Sequence, residues 1–440
     1  MPPTLHITPQ EVDTAEKRSQ YTVGVVGCGH KGIFYANAFA DAGFKVICTD
    51  ANASVVKKLT KGKTSCAMPQ AETILKSHIN AEKIDTVSEL RKAVEQCDII
   101  VIAITAKIDE QKKNDDNGLE CTCKQIGAVL RHGTVVIYGG VASFGFIERT
   151  VKEVLENTSG LKVGQDWGLA YNPILNTDTP MNNLELTVAA NDQTSLQATA
   201  TILKTITQHI KQVRDIKTAE AATLFSIAKH DAEVALANEL AVFCEDAGID
   251  YFRVLDIQNL NTSAVRPSAI GEANTDEAYF LLEYAENLNT KLRLPALARQ
   301  INEDMTKQAV NLVSEALKGC GKVLKRGRIA VLGSASPAMD VFVKLLEQKG
   351  AKVALYNPIT KKDVLGAGII KTSLNEAVEG ADCLVILSGQ EQNRVNFKKI
   401  KSLMKAPAIL MDLAGRFEPE TVKTEGFLYF GLGRGMMYDD

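Results

Sequence analysis

The chain has 440 residues, of which 45% are hydrophobic and 23% charged, and its formal net charge is -3. This composition excludes a largely disordered chain and is typical of a globular protein of two or three domains, at roughly 100–200 residues per domain. Because 50 lysines and arginines nearly cancel 53 acidic residues, no overall basic charge is available to bind nucleic acid or an anionic membrane surface, and we expect a small-molecule ligand.

The N-terminal part of the sequence predicts a flexible arm followed by a Rossmann-like domain. Residues 1–20 are polar and carry two early prolines, which is typical of a loose arm. From Tyr21 the pattern is strand, glycine turn, helix and strand, with the helix ending at Gly43 and the second strand at Lys45–Asp50. The alternation continues in three further elements, Asp98–Ala103, Lys124–Leu130 and Thr134–Tyr138. We therefore predict a doubly wound α/β domain over residues 21–212.

The middle of the chain predicts helices. The segment from Ala219 to Ala247 is almost free of Gly and Pro and rich in Ala, Leu and Glu, which predicts one long helix. Two more helical patterns, Leu281–Asn287 and Leu297–Leu317, follow an irregular stretch at Asn259–Asp276. We predict a helical domain over residues 213–320 that connects two lobes or pairs with a second subunit.

The α/β pattern restarts near the C-terminus. A strand at Arg328–Leu332, a helix at Asp340–Lys349 and a strand at Lys352–Tyr356 are followed by more strand-like runs, Ala381–Leu387, Ala408–Met411 and Phe427–Tyr429. Residues 321–440 are therefore predicted to form a second Rossmann-like domain. The predicted fold class is α/β, with two Rossmann-like, doubly wound domains joined by a long central helix and a helical connector.

Hydropathy and cysteine usage bear on location and metal binding. No run reaches the roughly 20 apolar residues that span a bilayer, and no apolar signal core follows a basic start, so we expect a cytoplasmic protein with no membrane partner. The nine cysteines, an odd number, lie partly in apolar runs and predict reduced, buried thiols. Cys121 and Cys123 are a close pair without a second cluster at zinc-like spacing, so we predict no metal site.

A glycine-rich turn after the first strand carries the clearest chemical signal. It reads Gly-x-Gly-x-x-Gly, opens a helix, and is followed by Asp50 at the end of the second strand. Gly27 would allow the tight turn, Gly29 the approach of a pyrophosphate, and Gly32 close packing of helix and strand. Asp50 can accept hydrogen bonds from ribose hydroxyls and would repel a 2′-phosphate, which favours NAD over NADP. The predicted cofactor-binding residues are Gly27, Cys28, Gly29, His30, Lys31, Gly32 and Asp50.

Several short strings, in this order and spacing, resemble the UDP-glucose / UDP-N-acetylmannosamine dehydrogenase family over nearly the whole chain. They are Val25-Val26-Gly27-Cys28-Gly29, Ala170-Tyr171-Asn172-Pro173, Ala237-Asn238-Glu239-Leu240-Ala241, Ala278-Tyr279-Phe280-Leu281, Gln300-Ile301-Asn302, Asp412 to Arg416, and Tyr429 to Gly435. The resemblance implies NAD in the first domain, a nucleotide sugar in the last, and a homodimer with the long helix at its core. It also implies oxidation of a sugar C6 alcohol to a carboxylate in two hydride transfers, with a cysteine nucleophile holding the aldehyde between them.

The positions that carry this chemistry in the family are changed here. Matching the flanking strings places Ala273 at the nucleophilic cysteine, Glu277 at an aspartate, Thr223 at a lysine, Ile227 at an asparagine and Ile174 at a glutamate. No cysteine lies between Cys244 and Cys320. Such a site cannot support covalent four-electron oxidation. We therefore expect the usual reaction to be altered or absent.

Two further family features differ here. The family's serine and threonine before a proline-glycine pair correspond to Gly140 and Val141. The family's basic loop in the last domain is shortened to Ser334-Ala335-Ser336-Pro337. The last domain retains Arg416, which resembles the arginine that reaches the sugar nucleotide. Arg434 is a further cation available for phosphate.

A shifted alignment would offer other candidates for proton transfer. Lys229, His230 and Asp231 lie on the long helix beyond Thr223 and would either reach the sugar or form a solvated or subunit-facing stripe. The acidic loop side chains Glu272, Asp276 and Glu277 would either transfer protons or carry only surface charge.

Three functional hypotheses follow. The first is an NAD-dependent oxidoreductase of the nucleotide-sugar dehydrogenase family that acts on a CH–OH group in polysaccharide or glycan precursor synthesis. The second is a catalytically degenerate paralogue that binds NAD or a sugar nucleotide as a regulatory or structural partner. The third is a related scaffold acting on a different small hydroxy compound.

Overall fold

The computed structural model describes residues 3–64, 69–109, 111–175, 183–257, 265–270, 275–333, 337–356, 369–371, 373–387 and 395–434. The chain divides into two compact units. The first comprises Met1–Ile227 and Asp276–Lys291, and the second Ala228–Thr275 and Leu292–Asp440. The helical segment predicted at 213–320 is thus shared between the units.

The first unit is built on an eight-stranded sheet with the order β10-β9-β8-β7-β4-β1-β2-β3. The strands of this sheet are β1 (Thr22–Val26), β2 (Lys45–Thr49), β3 (Ile84–Thr86), β4 (Ile99–Ile102), β7 (Val135–Tyr138), β8 (Gly168–Tyr171), β9 (Leu186–Ala189) and β10 (Ile210–Val213). Two short strands, β5 (Lys107–Ile108) and β6 (Asn114–Asp115), form a separate two-stranded sheet. Neighbouring strands of the sheet pair in parallel except β8 and β9. The order from β3 to β8 is that of a doubly wound dinucleotide-binding sheet, as predicted.

Helices alternate with these strands. They are α1 (Ala15–Arg18), α2 (His30–Ala42), α3 (Ala53–Leu59), α4 (Pro69–Asn80), α5 (Leu90–Val94), α6 (Asn117–Gly127), α7 (Glu153–Ser159), α8 (Gln193–Leu203) and the long α9 (Ile216–Ala247), with a π-helical turn at Ile147–Lys152 before α7. The C-cap residue of α2 is Gly43, whose φ of 99° is left-handed and suits glycine. The predicted long central helix is confirmed and begins three residues earlier than its composition indicated.

The N-terminal segment differs from the flexible arm predicted for residues 1–20. Residues 4–18 contain short helical turns, and Leu5, Ile7 and Val12 are buried. The backbone N–H of Leu5 also donates to the carbonyl of Gly133 (2.8 Å). A few apolar side chains at suitable spacing therefore dock this polar segment onto the domain, and the prediction was wrong for its described part.

The second unit contains a parallel six-stranded sheet with the order β13-β12-β11-β14-β15-β16. The strands are β11 (Arg328–Leu332), β12 (Lys352–Tyr356), β13 (Ile369–Ile370), β14 (Cys383–Ile386), β15 (Ile409–Asp412) and β16 (Leu428–Gly431). The remaining helices are α10 (Tyr251–Ile257), α11 (Ala278–Asn287, in the first unit), α12 (Arg293–Gly319), α13 (Pro337–Gln348), α14 (Leu374–Val378), α15 (Phe397–Leu403) and α16 (Pro419–Thr424). The second Rossmann-like fold is confirmed.

Candidate functional site

The glycine turn after β1 is shaped by close packing. Gly27 has a φ of 93°, and a Cβ atom there would lie 2.6 Å from Cγ1 of Ile104. A Cβ atom on Gly32 would overlap the carbonyl oxygen of Gly27. Both positions therefore require glycine, which brings the start of α2 close against the end of β1.

The start of α2 is open to a ligand. Gly29 is the N-cap residue and provides no side-chain cap, and a Cβ atom there would meet nothing within 4 Å. The backbone N–H groups of the first helical turn thus have space in front of them and a positive helix dipole behind them. This geometry fits the pyrophosphate of a dinucleotide.

Asp50 lies at the carboxyl end of β2, facing the glycine turn. Its carboxylate accepts hydrogen bonds from the backbone N–H groups of Cys28 (2.8 Å) and Asn52 (2.8 Å). The thiol of Cys28 is buried and donates to the carbonyl of Thr49 (3.3 Å), so its side chain belongs to the core. A carboxylate held beside the turn suits the ribose hydroxyls of NAD, and the residues present fit this cofactor.

Lys31 brings a charge to the same turn. Its Nζ donates to Oγ1 of Thr105 (3.1 Å) and to Oε1 of Glu277 (3.3 Å). Both charged side chains are largely buried, with 11% of Lys31 and 9% of Glu277 exposed. His30, the neighbouring residue of the motif, is exposed.

The other positions that match catalytic residues of the family carry either apolar side chains or a hydroxyl whose hydrogen bond is made within the first unit. Ile174 is 1% exposed and belongs to the hydrophobic core. Thr223 is buried, and its hydroxyl donates to the carbonyl of Ala219 (2.8 Å). Ile227 is half-buried on α9. Ala273 and Glu272 lie outside the described residues.

Glu220 is a buried carboxylate that the sequence analysis did not select as a site residue. It is 2% exposed, and it accepts hydrogen bonds from the backbone N–H groups of Gly145 (2.7 Å) and Ile147 (3.2 Å) at the start of the π-helical turn. Burial raises its pKa to about 7, against the opposing effect of these two hydrogen bonds. In the sequence it is one of several glutamates of the predicted long helix, and no local pattern distinguishes it.

The alternative candidates on α9 have other partners. Lys229 is exposed and forms a surface pair with Glu233 (3.6 Å), and His230 is also exposed. Asp231 is buried and accepts from Nη1 of Arg299 (2.7 Å). Asp276 is exposed. Lys229, His230 and Asp276 thus lie at the surface, whereas Asp231 is buried in an ion pair and does not belong to a solvated stripe of the helix.

In the second unit, the loop after β15 is organised by Asp412. This buried carboxylate accepts from the backbone N–H groups of Arg416 (2.8 Å) and Phe417 (2.8 Å) and from the hydroxyl of Tyr429 (3.1 Å). The side chain of Arg416 is exposed at this loop.

Arg434 forms a buried ion pair with Asp250 (2.8 Å). It is therefore not the available cation that the sequence suggested. The residues Ser334, Ala335 and Ser336 of the shortened loop lie outside the described part.

The described residues contain neither a helix that could span a membrane nor a group of metal-ligating side chains. No helix there is long and apolar enough to cross a membrane. No group of three or more His, Cys, Asp and Glu side chains in that part of the chain is placed to hold a metal ion.

The sequence matches the UDP-glucose/GDP-mannose dehydrogenase family in three segments. Residues 21–185 match its NAD-binding domain, residues 217–304 its central domain and residues 334–419 its UDP-binding domain. The glycine turn and Asp50 lie in the first segment, and Arg416 lies in the third.

Individual proteins agree with this assignment. The chain is 30% identical to the protein CapL of Staphylococcus aureus, over 71% of this chain and 74% of CapL. It is 25% identical to the UDP-glucose 6-dehydrogenase TuaD of Bacillus subtilis, over 94% of this chain and 93% of TuaD. The structure of the UDP-D-ManNAc dehydrogenase from Pyrococcus horikoshii has the same fold, with a TM-score of 0.78, 24% identity, and coverage of 94% of this chain and 99% of that one. The chain belongs to the UDP-glucose/GDP-mannose dehydrogenase family, and residues 21–185 are its NAD-binding domain.

Proposed function

We propose that this protein oxidises a CH–OH group of a nucleotide sugar with NAD, in the synthesis of polysaccharide or glycan precursors, and that it transfers one hydride per sugar. The observation that carries the proposal is the uncapped first turn of α2 beside Asp50, within the segment that matches the NAD-binding domain of the family. Bound NAD supplies the hydride acceptor. Gly29 leaves room for its pyrophosphate, and Asp50 binds a ribose.

The limit of one hydride rests on the cysteines. Oxidation of an aldehyde to an acid by the family mechanism requires a thiolate, and the aligned position is Ala273. Burial raises the pKa of Cys97 and of Cys123 to about 12, so these thiols stay protonated and are poor nucleophiles. Oxidation of the alcohol needs no thiolate, only a hydride acceptor and a proton acceptor.

The second unit is the proposed site for the nucleotide diphosphate. The match to a UDP-binding domain at residues 334–419 and the exposed Arg416 at the carboxyl end of β15 support this assignment. An arginine can bind a diphosphate oxygen with two parallel hydrogen bonds. We also infer a homodimer working in the cytoplasm. The free cysteines of the described residues fit a reducing compartment.

The stoichiometry of the reaction tests the proposal. The purified protein is incubated with NAD and a panel of UDP-, GDP- and dTDP-sugars, while reduced nicotinamide and consumed sugar are both measured. One NADH per sugar is the expected result. Two per sugar would contradict the placement of Ala273 and restore a four-electron reaction. No turnover with any sugar, together with calorimetric NAD binding, would favour the non-catalytic partner.

A further inference from the structure

The ion pair between Lys31 and Glu277 is not explained by cofactor binding alone. The glycine motif requires its three glycines but does not specify which residue type occupies the position of Lys31. Here that position carries an ammonium that reaches Thr105 and a carboxylate 246 residues further along the chain. Burying two charges costs several kcal/mol per ion, and their attraction often fails to offset this cost, so a buried pair is weak evidence for a purely stabilising role.

The location of the Lys31–Glu277 ion pair relative to the strands of the sheet indicates a role in the reaction. Strands β1 and β4 are neighbours, and the strand order reverses there, with β2 and β3 on one side and β4, β7 and β8 on the other. Dinucleotides bind across this point, one half on each side. Asp50 follows β2 and takes the ribose of the adenosine half, whereas Thr105 follows β4 on the opposite side. Lys31 and Glu277 therefore lie toward the half that carries the nicotinamide.

The chemistry of alcohol oxidation needs the two groups found here. As hydride leaves the carbinol carbon, the hydroxyl must lose its proton to a base, and the oxygen must be stabilised while its negative charge develops. Thr223, at the position matched to the family lysine, cannot supply a positive charge, and its hydroxyl donates to a helix carbonyl. Lys31 supplies an ammonium and Glu277 a carboxylate within one hydrogen-bonded pair.

We propose that Glu277 and Lys31 are the proton-transfer pair of this enzyme, an inference that rests on the proposed function. The C–H bond of the carbinol breaks and its electron pair leaves as hydride, which reduces NAD. The O–H bond breaks and its proton passes to the Glu277 carboxylate, while a C=O bond forms. The Lys31 ammonium donates a hydrogen bond to that oxygen. The proton on Glu277 is then released to solvent.

The test compares Lys31→Met, Glu277→Gln and the double variant with the wild-type enzyme. We expect each single substitution to lower kcat by about 100-fold or more, the range typical of a lost acid–base group. The double variant should be little slower than either single one, because the two groups act as a unit. Added ethylamine should partly restore the activity of Lys31→Ala, which a merely structural lysine would not show.

Two readouts do not depend on turnover. Lys31→Met leaves a buried carboxylate unpaired and should lower the melting temperature, and the double variant should recover part of that loss. The Kd of the Glu277→Gln variant for NAD, measured by calorimetry, should differ from that of the wild type by less than about threefold, or below 1 kcal/mol. The control is Lys112→Met, which removes a lysine bonded to the hydroxyl of Tyr279 (2.6 Å) on α11. It should leave kcat unchanged.

The outcomes separate the two proposals. A wild-type enzyme without turnover on any nucleotide sugar would overturn the proposed function. An active wild type with an equally active Lys31→Met variant would overturn the proton-transfer pair alone. If Lys31→Met instead weakened NAD binding more than about tenfold with kcat unchanged, Lys31 would be a phosphate ligand.

Discussion

Gly29 and Gly32 lie in the same turn but have different tasks. A methyl group on Gly32 would overlap the carbonyl oxygen of Gly27, whereas one on Gly29 would meet nothing within 4 Å. We predict that Gly32→Ala lowers the melting temperature of the protein without NAD, because overpacking costs about 1–3 kcal/mol. Gly29→Ala should leave that melting temperature unchanged and weaken NAD binding, because the methyl group occupies the path of the pyrophosphate. Thermal unfolding and calorimetry measure the two effects, and equal melting temperatures of the two variants would contradict this division of roles.

Glu220 should make stability depend on pH. Its folded pKa of about 7 is above the ordinary value of 4.5. The native state therefore holds a proton that the unfolded state has lost between these values, and the contribution of Glu220 to stability is full below pH 4.5 and falls as pH rises through 7. Relative to Glu220→Gln, the wild type should lose up to about 3 kcal/mol over this window. Melting temperatures of both proteins at pH 5 and 7.5 test this, and parallel changes would rule the effect out.

For individual residues, the sequence predicts contacts between side chains that are close together along the chain. The placement of Gly27, Gly32 and Asp50 around one turn follows from spacing within one strand–helix–strand unit, and their cofactor-binding roles stay predictions. The partner of Lys31 is 246 residues away and that of Arg434 is 184 residues away. Pairings of that separation depend on how whole elements dock, and no local pattern encodes them.

Helices α9 and α12 are joined by a buried polar network. Asp231 accepts from Arg299 (2.7 Å) and from the side-chain amide of Asn302 (2.8 Å), whose oxygen accepts from Asn238 (2.9 Å). We predict that Asp231→Ala destabilises the second unit by about 3–5 kcal/mol, because it removes the carboxylate that pairs with the buried guanidinium of Arg299. The double variant Asp231→Leu with Arg299→Met should be much less destabilised.

An exposed ion pair on α12 provides the control for the buried network. Asp304 and Lys307 lie 2.7 Å apart on α12, and 53% and 71% of these side chains are exposed. Asp304→Ala should change stability by less than about 1 kcal/mol. Thermal unfolding of the four proteins is sufficient, and an Asp231→Ala variant as stable as Asp304→Ala would contradict the proposed importance of the network.

Elements were predictable where composition or periodicity is unambiguous. The long helix was predicted from 219 to 247 and extends from Ile216 to Ala247, and the strand predicted at Arg328–Leu332 has these bounds. The N-terminal segment was missed because its few apolar residues lie among polar ones and give no periodic signal. It is ordered by tertiary contacts, such as the one between Leu5 and Gly133.

At the scale of the whole molecule, α9 leaves an apolar face uncovered in the single chain. Phe225, Leu236, Leu240 and Phe243 are 61%, 59%, 45% and 63% exposed, and their spacing places them on one side of the helix. Large contiguous apolar faces of this kind mark protein–protein contacts. Because homo-oligomers are most often twofold dimers with the same patch on both subunits, a second copy of this chain is the occupant we expect.

The predicted homodimer is tested by light scattering after size exclusion. The wild type should have twice the 47.7 kDa mass of the chain. The double variant Leu236→Glu with Phe243→Glu should be monomeric, because two charges would have to be buried at the contact. Val323→Glu is the matched control, since Val323 is an apolar residue that is 67% exposed and is not part of α9. It should remain dimeric. A monomeric wild type, or a double variant that still dimerises, would show that α9 does not form the contact.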